Sequence, residues 1–122
     1  MRLPTRIHGM LDYLLGVLLV ASPWLLGFAD NAGARWVPVA LGAAVLLYSL
    51  LTDYEMGAVK TLQVPAHLLM DALGGVLLAA SPWMLGFDER VWQPHVALGL
   101  VLVVVAAVTN TVPGYERRRT AR

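Results

Sequence analysis

Ala21-Ser22-Pro23-Trp24-Leu25-Leu26-Gly27-Phe28 returns 59 positions later as Ala80-Ser81-Pro82-Trp83-Met84-Leu85-Gly86-Phe87, differing only in Met84 for Leu25. The same offset carries His8 onto His67, Asp12 onto Asp71, Gly16 onto Gly75, and Val17-Leu18-Leu19 onto Val76-Leu77-Leu78. A second block, Val39-Ala40-Leu41-Gly42, returns as Val96-Ala97-Leu98-Gly99 at an offset of 57, which implies a shorter connection in the second copy. The chain is a tandem duplication, and any reading has to hold for both copies.

Outward from these blocks run four apolar stretches: about Ile7 to Phe28, Trp36 to Leu51, Val64 to Phe87 and Trp92 to Val112. A bilayer core of about 30 Å needs about 20 helical residues, with a lower limit near 17. The first, third and fourth stretches meet this easily, and the second is marginal unless it runs on to Tyr54. No stretch alternates apolar and polar residues as a half-buried strand would. Pro4, Pro38, Pro65 and Pro94 punctuate the entries, where a missing N–H costs nothing. Gly27, Gly57, Gly86 and Gly114 follow the exits as caps or turns. The connections, roughly 29–35, 53–64 and 88–91, are short, so sequential helices are antiparallel neighbours.

Composition agrees. Apolar residues make up 58 % of the 122 and charged residues 14 %, against about 25 % charged in a soluble domain. The absence of cysteine excludes a disulfide framework, a thiolate metal site and a cysteine nucleophile. A net charge of +1, with no basic patch interleaved with aromatics, excludes a nucleic-acid surface. Eight of the nine basic residues are Arg, which with abundant Ala, Leu and Val points to a GC-rich bacterial genome. Arg2, Arg6, an apolar run and Ala32-Gly33-Ala34 imitate a secretory signal. The same pattern recurs in mid-chain, and Asp12 interrupts the apolar run, so cleavage is not expected. With both ends on one side, Arg2, Arg6, Lys60, Arg117, Arg118, Arg119 and Arg122 face Arg35 and Arg90. The excess of Lys and Arg places both termini and the central loop in the cytoplasm, and the two copies run parallel about an axis along the membrane normal.

His8 and Asp12 are four apart, as are His67 and Asp71, so each pair shares a helix face. Gly16 and Gly75 extend that face by a turn and allow close helix approach. The stripes are expected to bring the first and third helices together at the pseudo-twofold axis. The simplest role is a hydrogen-bonded lock, within each helix or across the copies. Intramembrane ionisable groups also suggest a proton or ion path. A bis-histidine haem between His8 and His67 leaves the aspartates without a role. A zinc site of two His and two Asp fits by ligand type, though the i,i+4 spacing is common by chance. No metal or cofactor is assigned on the sequence alone.

Pro23 and Pro82 each remove one helical hydrogen bond and crowd the carbonyl four residues back, Leu19 or Leu78. Either the helix kinks there with help from Ser22 and Ser81, or it ends near the bilayer surface. Trp24 and Trp83 favour an end with an interfacial anchor. His95 has no counterpart histidine and is expected at the outer interface. Asp53 and Glu55 read as a solvated turn rather than a metal pair, and Arg117-Arg118-Arg119 as a contact with anionic lipid heads. No phosphate loop, nucleophile elbow or metalloprotease helix is present, and Tyr13 and Ser49 have no base at readable spacing.

The doubled Ser22-Pro23-Trp24 and Ser81-Pro82-Trp83, each in the first helix of its unit, resembles the SPW-repeat family of small membrane proteins over roughly residues 4 to 114. That resemblance implies an integral membrane protein with two helices per repeat, and brings no activity, substrate or catalytic residue with it. The expected fold is all-α, a four-helix transmembrane bundle of two tandem parallel helical hairpins. Repeat one spans about 4–57, repeat two about 64–114, and a basic tail 115–122. The expected role is non-enzymatic: a structural or accessory protein of the bacterial plasma membrane. It packs in lipid against itself or a larger membrane complex. The rival is transport along a path lined by His8, Asp12, His67 and Asp71.

Overall fold

The computed structural model describes residues 2–111; the expected cap at Gly114 and the arginine tail lie outside that range. Four helices follow one another, α1 (Thr5–Leu25), α2 (Ala32–Leu50), α3 (Val64–Met84) and α4 (Gln93–Val108). Among the described residues there is no strand, only two isolated bridges, Leu3 with Thr109 and Thr52 with Leu62. The dominant packing is α1 on α2 and α3 on α4, and the two hairpins meet chiefly through α2 and α3. The result is an all-α four-helix bundle, and α1, α2 and α3 are long and apolar enough to cross a membrane.

Two boundaries differ from the sequence reading. The marginal second stretch starts four residues earlier, because the Asn31 side chain accepts from Ala34 N–H at 3.0 Å and caps α2. Pro38 therefore lies inside α2 rather than at its entry. The short helix is α4, with 16 residues, or about 24 Å at 1.5 Å per residue. It stops because Thr109 turns to extended backbone (φ −89°, ψ 144°) and pairs with Leu3. Leu3 N–H donates to Val108 O at 2.6 Å and Asn110 N–H to Leu3 O at 2.9 Å. One repeat away, Leu62 N–H donates to Leu51 O at 2.7 Å and Asp53 N–H to Leu62 O at 2.6 Å. The entry of each repeat is thus stitched to the exit of the other.

The repeated eight residues end α1 and α3, and each position has a physical task. Pro23 leaves the Leu19 carbonyl without its helical donor, and the Ser22 hydroxyl fills it at 2.8 Å; Ser81 does the same for Leu78 at 2.6 Å. Gly27 and Gly86 take the left-handed conformation (φ 77° and 72°) that glycine adopts without strain. Phe28 N–H then reaches back to Pro23 O at 2.9 Å and Phe87 N–H to Pro82 O at 2.8 Å, a Schellman closure. Phe28 and Phe87 tuck under the bundle, while Trp24 and Trp83 point outward, 60 % and 55 % exposed. Each proline lies two residues before the last residue of its helix, so the helix ends within the repeated block.

Leu15, Leu19, Leu78 and Leu102 form the central core, joined by Leu11, Val37, Leu41 and Leu98. Gly16 and Gly75 do pack closely, but within each hairpin rather than between α1 and α3. A Cβ on Gly42 would lie 2.7 Å from Gly16 O, and one on Gly75 would lie 2.6 Å from Gly99 O. At 100° per residue, Gly16 sits about 80° round the helix from His8. That rotation turns the glycine to the antiparallel partner while the histidine faces the axis. α1 and α3 are accordingly not a closely packed pair; long polar side chains span the gap between them.

Candidate functional site

At the end of the bundle that holds both chain entries, His8, Asp12, His67 and Asp71 meet on the axis, each 1 % exposed. His8 Nε2 lies 3.0 Å from Asp12 Oδ1 and 2.8 Å from Asp71 Oδ2. His67 Nε2 lies 2.9 Å from Asp12 Oδ2 and 3.2 Å from Asp71 Oδ2. Each carboxylate bridges two imidazoles and each imidazole bridges two carboxylates, so the four side chains close a ring across the repeats. The imidazoles stand edge-on with centroids 5.3 Å apart.

A second set of side chains orients the ring. Thr52 and Thr109 donate their hydroxyl protons to the carbonyls of Tyr48 and Val105, one turn back. Their oxygens are left with lone pairs only, so the imidazoles must donate to them. His67 Nδ1–H donates to Thr52 at 2.7 Å, and His8 Nδ1–H to Thr109 at 2.8 Å. Nε2 of each histidine is thereby turned toward the carboxylates. Two ionised carboxylates in this ring would be balanced by two positive charges placed between them and the Nε2 atoms.

Two tyrosines complete the carboxylate shells. Tyr48 Oη donates to Asp71 Oδ1, and Tyr54 Oη to Asp12 Oδ2 at 2.7 Å. Tyr54 comes from the α2–α3 connection yet is 1 % exposed. Burial, then the adjacent Asp12 charge, pushes its phenol well above the ordinary 10.0, which keeps it a donor. The connection is held down over α1. Glu55 accepts from Thr5 Oγ1 at 2.7 and 3.0 Å, Tyr13 Oη donates to Met56 O at 2.8 Å, and Lys60 Nζ to Tyr54 O at 2.7 Å. The lack of a side chain at Gly9 makes room for Met56 and Tyr54, which a Cβ there would meet at 2.6 and 3.3 Å. Glu55 is therefore a tether to α1 rather than part of a freely solvated turn.

The opposite end carries a second polar feature. His95 is not at the surface; it is 1 % exposed, between Phe28 and Phe87 with centroid distances of 4.9 Å to each. Its Nε2–H donates to Ala34 O at 2.9 Å. That carbonyl is the one Pro38 deprives of a helical donor, and Pro38 is the residue that matches His95 at the offset of 57. Here too lie Arg35, whose Nη1 donates to Ala29 O at 2.7 Å, and Arg90, which pairs with Asp30 at 2.8 Å and joins the two hairpins. The hydrogen bond from Arg90 holds the Asp30 carboxyl below its ordinary 3.8.

An SPW repeat domain model matches residues 6–109. The chain belongs to the SPW repeat family. It is a small membrane protein, and the Ser-Pro-Trp signature of this SPW repeat protein is a helix-ending device at the end of the bundle opposite the ring. Comparison with curated proteins and with solved structures finds no match.

Thr52, Thr109, Tyr48 and Tyr54 escaped the sequence reading. The two threonines carried a signal, since Leu51-Thr52-Asp53 and Val108-Thr109-Asn110 occupy matching places at the offset of 57. The tyrosines carried none, because the second repeat has Val105 and Thr111 at the corresponding positions.

Proposed function

We propose that this SPW repeat protein is a non-enzymatic structural or accessory component of a bacterial plasma membrane, with both termini cytoplasmic, and that the ring locks its two hairpins into one body. The observation that carries this is the closure of four ionisable side chains, each 1 % exposed, into one ring of nitrogen–oxygen contacts of 2.8–3.2 Å across the hairpins. A cavity of about 580 Å³ between α2 and α3 is lined by apolar residues such as Trp36, Leu41, Leu77 and Leu85. A smaller one of about 310 Å³ against α3 and α4 reaches Thr109 but none of the four ring residues. A conducting path would need water at the carboxylates, and neither cavity supplies it. The outward helix faces, with Leu14, Val17, Leu73 and Val76 more than half exposed, suit lipid and a second copy or a larger membrane complex. Arg2, Arg6 and Lys60 at the ring end, against Arg35 and Arg90 at the tryptophan end, support the orientation.

The test is co-purification from native membranes after mild cross-linking, where a stoichiometric membrane partner or a homo-oligomer is expected. Proton or cation flux in liposomes is the counter-test. Flux by the wild type that Asp12→Asn and Asp71→Asn abolish would replace the structural reading with transport.

A further inference from the structure

We propose that His8, Asp12, His67 and Asp71 form a closed four-coordinate site for one divalent transition-metal cation, with Zn2+ the first candidate. The inference rests on the ring being the structural centre of the protein, and adds a ligand to it. The donor atoms are two imidazole Nε2 and two carboxylate oxygens, one from each residue, all within 4.8 Å of one another.

The donor chemistry sets the class of metal. Two imidazoles exclude Mg2+ and Ca2+, which take six or more oxygens. The lack of thiolate or thioether argues against Cu+. Two nitrogens and two oxygens from four protein side chains, with no open position, match structural Zn2+ rather than a catalytic centre. Metal–ligand bonds of 2.0–2.2 Å at tetrahedral angles separate donor atoms by about 3.3 Å. The Nε2–carboxylate separations here are 2.8–3.2 Å and the donor atoms lie within 4.8 Å of one another, so to admit the ion the ring puckers, its edges opening by a few tenths of an ångström and its wider pairs closing toward about 3.3 Å. The ion takes the place of any proton on the two Nε2 atoms, which leaves to solvent, so two carboxylates and one divalent cation leave no net charge in the membrane, where an unbalanced charge is costly.

The surroundings are those of a metal site. Ligating histidines characteristically donate their other ring N–H to a fixed acceptor, which sets the tautomer and aims the ligating nitrogen. Thr52 and Thr109 are those acceptors, locked by their own bonds to the carbonyls one turn back. Tyr48 and Tyr54 hold the carboxylates from outside in the same way. A separate observation points inward: His67 Nε2 is fully buried and aimed into the ring, yet no carboxylate there accepts a hydrogen bond from it in good geometry. A lone pair on a cation satisfies that atom where an N–H does not. With the ring enclosed, the ion is taken up as the hairpins dock, and exchange from the folded protein is slow.

The experiment uses the full chain, expressed with Zn2+ or Co2+ in the medium and purified in mild detergent without chelator. Elemental analysis is expected to find one cation per chain, and the Co2+ form the intense visible bands of four-coordinate cobalt. Thr52→Val, which keeps all four ligands, should retain the cobalt bands. His67→Gln should lose them if it is helical and monodisperse. Wild-type protein without stoichiometric metal and without those bands overturns the site, as does His67→Gln that binds Co2+ with unchanged bands. The lock is read separately, as the stability of Asp71→Asn against wild type in excess chelator. The site can fail while the lock stands, and the reverse.

Discussion

Asp71→Asn is the most demanding perturbation of the ring. The substitution keeps size and shape, and its amide oxygen can still accept from Tyr48. Its NH2, however, must face His8 Nε2 at 2.8 Å and His67 Nε2 at 3.2 Å, where both sides are donors. One negative charge is removed from a set of four, and the imidazoles are left sharing Asp12. Breaking a buried pair by removing one partner costs about 3–5 kcal/mol. An ordinary interhelical hydrogen bond in a membrane protein contributes about 0.6 kcal/mol on average and about 1.7 at most. The two figures separate the lock from incidental polar contact. At about 1.4 kcal/mol per factor of ten, the expected loss is a shift of roughly two to three and a half decades in the unfolding equilibrium. Reversible unfolding in mixed micelles of dodecylmaltoside and sodium dodecyl sulfate, followed by helical circular dichroism, measures it. Tyr48→Phe, which removes one donor from a carboxylate still held by two imidazoles, provides the scale and should fall in the lower range. Asp71→Asn costing no more than Tyr48→Phe would refute the claim that the ring holds the hairpins together.

Gly42→Ala is expected to destabilise by about 1–3 kcal/mol in the same assay, since its Cβ would lie 2.7 Å from Gly16 O and 2.8 Å from Leu19 Cβ. His95→Leu should lower thermal stability by leaving Ala34 O without a donor, and Pro38→Ala, which restores a helical N–H to that carbonyl, should recover most of the loss. Tyr54→Phe takes a donor from an Asp12 still beside two imidazoles and should cost, like Tyr48→Phe, about 0.6–1.7 kcal/mol; adding Val105→Tyr, which by the repeat symmetry aims a phenol at the same carboxylate, should return part of it. The Asp30 carboxyl is expected to titrate below 3.8 by NMR and to move back up in Arg90→Gln. Because folding lowers that value, whatever the pair contributes is present above about pH 3.8 and is lost as the pH falls through the folded value.

The fold was legible because duplication and bilayer length act over the whole chain. The 59-residue offset located both hairpins, and the i,i+4 spacing put His8 and Asp12 on one face. What escaped depends on rotation and on chain crossing. Gly16 follows the same i,i+4 spacing, yet the accumulated 80° turn sends it to α2. Thr109 looked like a continuation of an apolar helix; its pairing with Leu3 involves residues at opposite ends of the described chain, which no local pattern reports. His95 looked like an isolated surface histidine because its partner is a backbone carbonyl. The signal for that carbonyl was Pro38 itself, read as a helix entry when α2 had already begun at Ala32.

The ring also explains why the two repeats are alike in some places and not in others. Positions that lie on the axis or at helix ends are used twice in equivalent ways. Both His–Asp pairs, both threonines, both Ser-Pro-Trp blocks and both close glycine contacts therefore recur. Tyr48 and Tyr54 follow a different rule: one serves Asp71 and the other Asp12, so a single repeat supplies the phenol that each carboxylate needs. Two identical repeats would aim four phenols at two carboxylates already bridged by two imidazoles, and the surplus hydroxyls would be buried without partners, at about 1–3 kcal/mol each. Val105 and Thr111 in the second copy remove that surplus. The same economy appears at the opposite end. A proline at position 38 frees one carbonyl, and the equivalent position on α4 holds the one histidine that fills it. Perfect symmetry would leave an unpaired carbonyl with two prolines, or an unpaired imidazole with two histidines. At positions 38, 48 and 54 the repeats depart from one another because a buried polar group on one copy is matched by a different group on the other.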